Sequence, residues 1–497
     1  MKKSFSIVLA VLMLLSVLSL VSCGDKTDPS VTTQAPAVNT ENNPGEVTTA
    51  AITFPEKNYN DETFTVYFRD HAASSYKGFY IIPEEDTGDI IDSQAEKRNM
   101  MVEEKYHIKF VAKEATNPTS TLSKDISGNE VNYDIILDQR NKIKDYALKG
   151  LFFDFNKLDI DYSNPWWDSN CAKQYAIQNK LFFMVNDVSV SNIAGCRFYY
   201  FNKAVLEDFK LKSPYEYAAS NEWTLDNFLN LVKGVNSPGD SENFGIYGLV
   251  NESGANLNHT LTGVGCFKSA LDKDGNITCS LLDKDVMERA SDYFDKMNAV
   301  FNDKTICLTM DEAHTQDSAN AGSMNKYDHS RYLFSQGHFL FTQSSMNGTV
   351  NFGEMPRGYG VVMNPKYNPD QPAYYHMMDA NANIWCVPKE DIYADRERLA
   401  VIMDYWAYCS TGTVMEAYYE LTMKTKRASD PTAAEMLDTI KASIVYFPTD
   451  IYSCSSIGDL ITNASKNGFT DGVLKTSQKA IEAQLKSFNT SIGKLKD

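Results

Sequence analysis

Positive charge is scarce in this sequence: 47 Lys and Arg stand against 65 Asp and Glu in 497 residues, a formal net charge of −18. The two lysines of residues 1–22 have no acid beside them, so the remainder sums to −20. A nucleic-acid binder needs cationic surface to displace counterions from phosphates, and this balance disfavours one. Docking on anionic lipid through charge alone is disfavoured for the same reason. After residue 22 no second run of about 18 apolar residues occurs, so no transmembrane helix is expected in the mature chain. With 26 Gly, 16 Pro and no sustained heptad, collagen-like, coiled-coil and disordered classes are disfavoured too.

Catalytic and metal signatures are also missing. The sequence has no Gly-x-Ser-x-Gly, no His-Glu-x-x-His, no P-loop and no Gly-x-Gly-x-x-Gly. Its seven histidines are dispersed, and nothing in the spacing of His314, His329 and His338 fixes a metal geometry. Without a Cys-x-x-Cys, a thiol metal or redox cluster is not expected. Beyond Cys23, eight cysteines lie far apart among apolar neighbours, which leaves disulfides and buried thiols both open. A glycosidase needs only two suitably separated carboxylates, so 65 acids leave that chemistry open. Otherwise neither an enzyme nor a cofactor is expected.

What is present starts at the N-terminus. Met1-Lys2-Lys3 precedes an apolar run from Phe5 to Val21, interrupted by Ser6, Ser16 and Ser19, and the run ends at Leu20-Val21-Ser22-Cys23. A basic start, a short apolar stretch and small residues before a cut site read as a secretory signal over residues 1–22. Leu-Val-Ser-Cys is similar to the lipobox of bacterial lipoproteins, which implies lipidation of Cys23 and a two-chain membrane anchor on the extracytoplasmic face. Gly24 to Lys57 is rich in Thr, Pro, Asn, Ala and Glu with Phe54 as its only aromatic, a spacer too polar to fold. As a flexible coil it would hold the folded part on the order of 30 Å from the membrane.

The body alternates strands and helices. Thr63–Phe68, His107–Val111 and Tyr133–Leu137 read as strands, with an amphipathic helix from Ile91 to Tyr106 between the first two. A helix is expected from Lys142 to Lys149, stopped by Gly150. Further strands are expected at 198–201, 337–341 and 359–362, a hairpin at Ala270–Ile277, and helices around 399–406 and 478–495. Thr224 reads as an N-cap, with Trp223 and Phe228 placed as a hydrophobic staple. Such alternation implies a parallel sheet whose strand C-terminal ends carry the ligand loops.

Several segments occur in an informative order. Phe201-Asn202-Lys203, Asp208-Phe209, Pro214-Tyr215 and Glu222-Trp223-Thr224-Leu225-Asp226-Asn227-Phe228 together resemble a hallmark region of the family 1 extracellular solute-binding proteins, the receptors of ABC importers. Asp134–Leu137, Gln178–Phe183, Gly337–Phe341 and Tyr359–Tyr367 follow the same order, so the likeness spans about 60 to 460. The resemblance implies a two-lobed periplasmic-binding-protein-like (Venus flytrap) α/β fold with hinge crossovers. One lobe would comprise 58–192 and 376–425, the other 193–375 and 426–497.

It also implies a carbohydrate ligand, an oligosaccharide first, delivered by a monomer to ABC transporter permease subunits. Arg69, Asp70, Asp138, Gln139 and Arg140 would contact it at strand ends of the first lobe. Asn251, Glu252, Gln343 and Ser344 would follow strands of the second, with Asp187 and Asn192 near the first hinge and Asp379, Asn381 and Asn383 near the return crossing. Trp166 and Trp167 either stack on a pyranose face or pack in the core. The sequence has Gln343-Ser344-Ser345-Met346 where maltose-type receptors carry a tryptophan platform, which argues against maltose. A peptide or polyamine receptor, or a surface glycan-binding or glycan-cleaving lipoprotein, is the alternative.

Overall fold

The computed structural model describes residues 52–70, 81–83, 88–144, 146–240, 243–252, 254–352, 355–389, 396–427 and 430–495. The expected signal, Cys23 and most of the spacer lie outside the described residues, as does His71.

Two sheets organise the body. In the first, β1 (Glu62–Arg69), β2 (Ile108–Ala115) and β3 (Ile135–Gln139) run parallel, connected through α1 (Ile90–Tyr106) and α2 (Pro118–Gly128). The second gathers β4 (Arg197–Asn202), β5 (Asn236–Ser237), β6 (Ile246–Asn251), β9 (Cys307–Thr309), β10 (Phe339–Ser345) and β11 (Tyr359–Val362). Here β6, β9 and β10 are parallel, while β4 runs antiparallel to β10. A separate hairpin pairs β7 (Ala270–Leu271) with β8 (Ile277–Thr278). After β11 the chain returns to the first sheet as β12 (Asn383–Cys386), antiparallel to β3.

Helical packing explains the burial pattern. The inward face of α1 carries Ile91, Ala95, Arg98, Val102 and Tyr106, spaced three or four residues apart, about one turn. Arg98 is buried, and that burial lowers its pKa to about 9. It stays charged by donating to the Ile81 and Val188 carbonyls and lying 5.2 Å from the Trp406 ring. Trp406 packs below, its indole N–H donating to Asn99 Oδ1 at 2.9 Å.

In the second sheet α3 (Leu225–Lys233) follows Thr224, whose hydroxyl accepts from the Asn227 amide. The Trp223 and Phe228 rings lie 6.0 Å apart, and the Trp223 indole donates to the Met363 carbonyl at 2.7 Å, so the expected staple is also a tie to the neighbouring segment. Next come α4 (Gly254–Gly263), α5 (Met310–Gln316) and α6 (Lys326–Ser335). Then α7 (Arg396–Ser410), which continues as a π-helix over Thr411–Arg427, covers the first sheet, and α8 (Asp471–Lys494) ends the described chain. Among the described residues no helix is long and apolar enough to cross a membrane.

Three details differ from the sequence expectation. β3 extends through Gln139, because Asn383 of β12 pairs there, so Asp138 and Gln139 lie in the strand and not beyond it. β10 likewise runs to Ser345, held by pairing with Arg197, which puts Gln343 and Ser344 inside it. The helix expected at 142–149 is only Arg140–Ile143: the amides of Arg140 and Asn141 donate to Ala382 and Ala380, and three-residue turns follow.

β6 approaches α3 closely at Gly248, where an added Cβ would meet the Val232 carbonyl oxygen at 2.0 Å. Gly248→Ala is therefore expected to lose about 1–3 kcal/mol of stability by forcing strand and helix apart. Urea unfolding of the two chains measures this, and equal midpoints would refute the close packing.

Candidate functional site

The C-terminal ends of β1, β2 and β3 carry a closed polar network. Arg69 and Asp138 form a buried ion pair, 2.7 Å from Nη2 to Oδ1, with side chains 4% and 0% exposed. Arg69 also donates to Asn117 Oδ1 at 2.8 Å and to the Thr116 carbonyl. The Thr119 hydroxyl and the Gln139 amide satisfy Asp138. Asp70, half-buried, accepts from the Thr116 hydroxyl at 2.9 Å, and Gln139 is buried in β3. These acceptors and donors are spent on one another.

Arg140 begins the link to the second sheet. Its Nη2 donates to the Met378 carbonyl at 2.6 Å, and its Nη1 lies 3.3 Å from Asp450 Oδ2, which also pairs with Lys268. Burial opposes the charge of Arg140, yet Asp450, Tyr175 and Asp379 hold its pKa above the ordinary value.

Across the structure Arg197, the first residue of β4, is the hub. Its guanidinium pairs with Glu252 and with Asp379 Oδ2 at 3.2 Å, and reaches the Gln343 carbonyl at 3.3 Å. Arg331 on α6 lies 3.6 Å from Glu252 Oε1 and donates to the Ser344 hydroxyl at 3.2 Å. Asp379 Oδ1 accepts from the Asn381 amide and side chain, and Asn381 Oδ1 accepts from Asn141 at 2.7 Å. One connected set thus joins Arg140, Glu252, Gln343, Ser344, Asp379 and Asn381, and Asn251 precedes Glu252 in the chain. Arg197, Lys268, Arg331 and Asp450 were missed from sequence, since no local motif marks an ion pair between residues 55 to 310 positions apart.

Charges here are matched, but several neutral atoms are not. Buried Asn141 Oδ1, Asn192 Oδ1, Asn251 Oδ1, Gln343 Oε1 and Asn383 Oδ1 accept no hydrogen bond, and buried His259 Nδ1 has no partner. The other end of Gln343 is fixed, donating to Thr260 Oγ1 at 3.3 Å and Asn364 Oδ1 at 3.1 Å. Burial, together with the charges of Arg197, Lys268 and Arg140, drives the His259 pKa well below its usual value, so its imidazole is neutral. Buried acceptors without donors cost free energy unless something supplies them. Beside this set Phe267 and Tyr375, half-buried and 4.8 Å apart, cover a small apolar cluster of Met377, Val445 and Phe447.

Other candidates sit elsewhere. Trp166 and Trp167 are 2% and 3% exposed, and both indole N–H groups donate to Asp404 Oδ1, at 2.6 and 2.7 Å. Their rings meet Phe54, Tyr408 and Tyr162, which is core packing. Asp187 is half-buried and accepts from Thr411 at 2.8 Å. Burial pushes its pKa up to about 6, against the pull of Lys441 and that hydroxyl. The eight cysteines of the body are free, buried thiols. A surface hollow of about 590 Å³ lined by Gln178, Asn276, Leu485 and Asn489 shares none of the candidate residues.

The paired sheets and antiparallel return strand make up a two-sheet α/β fold of the periplasmic-binding-protein type. Solved structures place it. The cyclic alpha-maltosyl-1,6-maltose binding protein from Arthrobacter globiformis superposes with a TM-score of 0.54 at 13% identity, covering 86% of this chain and 100% of its own. The galacto-N-biose-/lacto-N-biose I-binding protein of the ABC transporter from Bifidobacterium longum, in complex with lacto-N-biose, gives 0.51 at 13%, covering 87% and 98%. The maltose-binding periplasmic protein MalE from Listeria monocytogenes, in complex with maltose, gives 0.51 at 14%, covering 86% and 98%. Neither a family model nor a curated protein matches the sequence.

Two outcomes follow. Arg69→Ala leaves Asp138 buried without its cation and should cost about 3–5 kcal/mol, read by chemical denaturation; a loss within error would mean the pair is solvated. The raised pKa of Asp187 works in the opposite sense: its contribution is fully present below about pH 4 and lost as pH rises through about 6. Asp187→Asn should thus gain about 1–2 kcal/mol over the native chain at pH 7.5, after discounting for partial exposure, and nothing at pH 4. Melting curves at both pH values check it, and a gain independent of pH would contradict it.

Proposed function

We propose that the chain is a lipid-anchored, extracytoplasmic receptor that captures a carbohydrate, first of all an oligosaccharide, and delivers it to an ABC importer. The observation that carries this reading is the group of unmet amide oxygens on Asn141, Asn192, Asn251, Gln343 and Asn383, set among mutually neutralised charges. Unmet amide oxygens accept hydroxyl donors, and the paired charges around them offer no net charge to an ionic solute. Phe267 and Tyr375 supply an apolar face next to it. The three solved structures named above are sugar-binding proteins by their own description, which supports the same class of ligand.

The lobes would be 58–192 with 376–425 and 193–375 with 426–497, and binding would proceed by hinge closure as the ligand bridges both. Arg69, Asp70, Asp138, Gln139, Arg140 and Glu252 would shape the cleft by holding strand ends, while Asn251, Gln343, Ser344, Asp379 and Asn381 would face the ligand. Cys23 after Leu20-Val21-Ser22, with its polar spacer, supports the lipid anchor.

The test is a thermal shift of the folded body against neutral oligosaccharides, peptides and polyamines. A neutral glycan should raise the melting temperature, by about 2.7 kcal/mol of added stability at a hundredfold excess over Kd. Gln343→Ala and Asn251→Ala should each weaken its binding by about 1–2 kcal/mol. A shift with a peptide or polyamine alone would reassign the ligand, and cleavage of the glycan would replace the receptor reading with an enzyme.

A further inference from the structure

Away from the facing strand ends, α5 and α6 present two histidines to each other. His314 Nδ1 lies 3.1 Å from His329 Nδ1, with the rings at 80°. The far nitrogen of His329, Nε2, lies 3.1 Å from Asp317 Oδ2, and Asp317 is itself fixed by Asn320 at 2.7 Å. His329 is fully buried and stacks on Tyr332, whereas His314 is half-buried with one flank toward solvent.

These contacts are all met when each ring carries one proton and that of His329 is on Nε2. In that tautomer the His329 Nε2–H donates to the Asp317 carboxylate, and the His329 Nδ1 lone pair is turned toward His314. In the metal-free chain the His314 Nδ1–H donates to it. Moving that one proton to Nε2 of His314 leaves two unprotonated nitrogens 3.1 Å apart, with no net proton lost from the ring.

We propose that His314 and His329 form a two-nitrogen chelate for a zinc-class divalent cation, with Asp317 as the positioning carboxylate behind His329. At a metal–nitrogen distance of about 2.05 Å, nitrogens 3.1 Å apart subtend about 98° at the metal, within reach of a tetrahedral site. A carboxylate on the second nitrogen of a ligating histidine is the recurrent means of fixing its ring. Among the described residues no three His, Cys, Asp or Glu side chains gather as a metal group, so water on the open flank of His314 completes the shell. His338, the third histidine singled out from sequence, is not part of it: its Nδ1 contacts the Gly245 carbonyl at 3.0 Å. The metal would clip α5 to α6, the helix from which Arg331 reaches Ser344 and Glu252.

The experiment titrates zinc chloride into the chelator-stripped protein by calorimetry and follows melting in parallel. One saturable zinc per chain is expected, with a higher melting temperature. His314→Gln, which keeps a hydrogen-bond donor on the half-buried side, should abolish both, Asp317→Asn should weaken binding about 10–100-fold, and His338→Gln should leave it unchanged. Histidine-labelled NMR of the unsubstituted chain gives an independent reading, with zinc shifting the nitrogens of His314 and His329. Absence of saturable binding, unaltered binding in His314→Gln, or shifts at other histidines would overturn the proposal.

Discussion

The guanidinium of Arg197 is the constraint on which the centre of the molecule depends. A cation removed from water is tolerable only when anions and carbonyls replace its hydration. Here Glu252 comes from the end of β6, the Gln343 carbonyl from β10, and Asp379 from the segment returning to the first sheet. β4 must run antiparallel to β10 for its first residue to arrive there. Sheet direction, return crossing and charge pairing are therefore one arrangement, because changing any of them would leave a charge unmet.

The same economy divides the candidate residues into two kinds. Arg69 with Asp138, and Arg140 with Asp450 and Lys268, consume one another's hydrogen-bonding capacity and hold strand ends in place. The amides of Asn251 and Gln343 keep an oxygen unmet, as the His259 imidazole keeps its Nδ1, and burial, helped by cationic neighbours, holds that imidazole neutral. Buried polar groups in a low-dielectric interior are rarely left this way without a partner to receive. The unmet capacity is neutral and accepting, which is why a hydroxyl-rich ligand suits it better than an ionic one.

Much of the fold was legible in the chain because it is written locally. Alternating and continuous apolar runs marked β1, β4, β10 and β11, and the Thr224 cap with Trp223 and Phe228 marked α3. Boundaries set by distant pairing were not legible: β3 gained Asp138 and Gln139 from β12, and β10 gained Gln343 and Ser344 from β4. For the site, the ordered motifs pointed to strand ends, while Arg197, His259, Lys268 and Asp450 escaped notice. Their meaning lies wholly in partners such as Arg140 and Asp450, 310 residues apart. Trp166 and Trp167 show the converse, since two adjacent aromatics read equally as platform or core until Asp404 is seen to hold both indoles.

The most direct measurement is a crystal structure of the chain with a neutral oligosaccharide bound. Sugar hydroxyls should lie about 3 Å from Gln343 Oε1 and Asn251 Oδ1, with the Arg197, Glu252 and Asp379 pairs intact. A ligand bound elsewhere, or one that breaks those ion pairs to place its own charge beside Arg197, would contradict the neutral, amide-lined site.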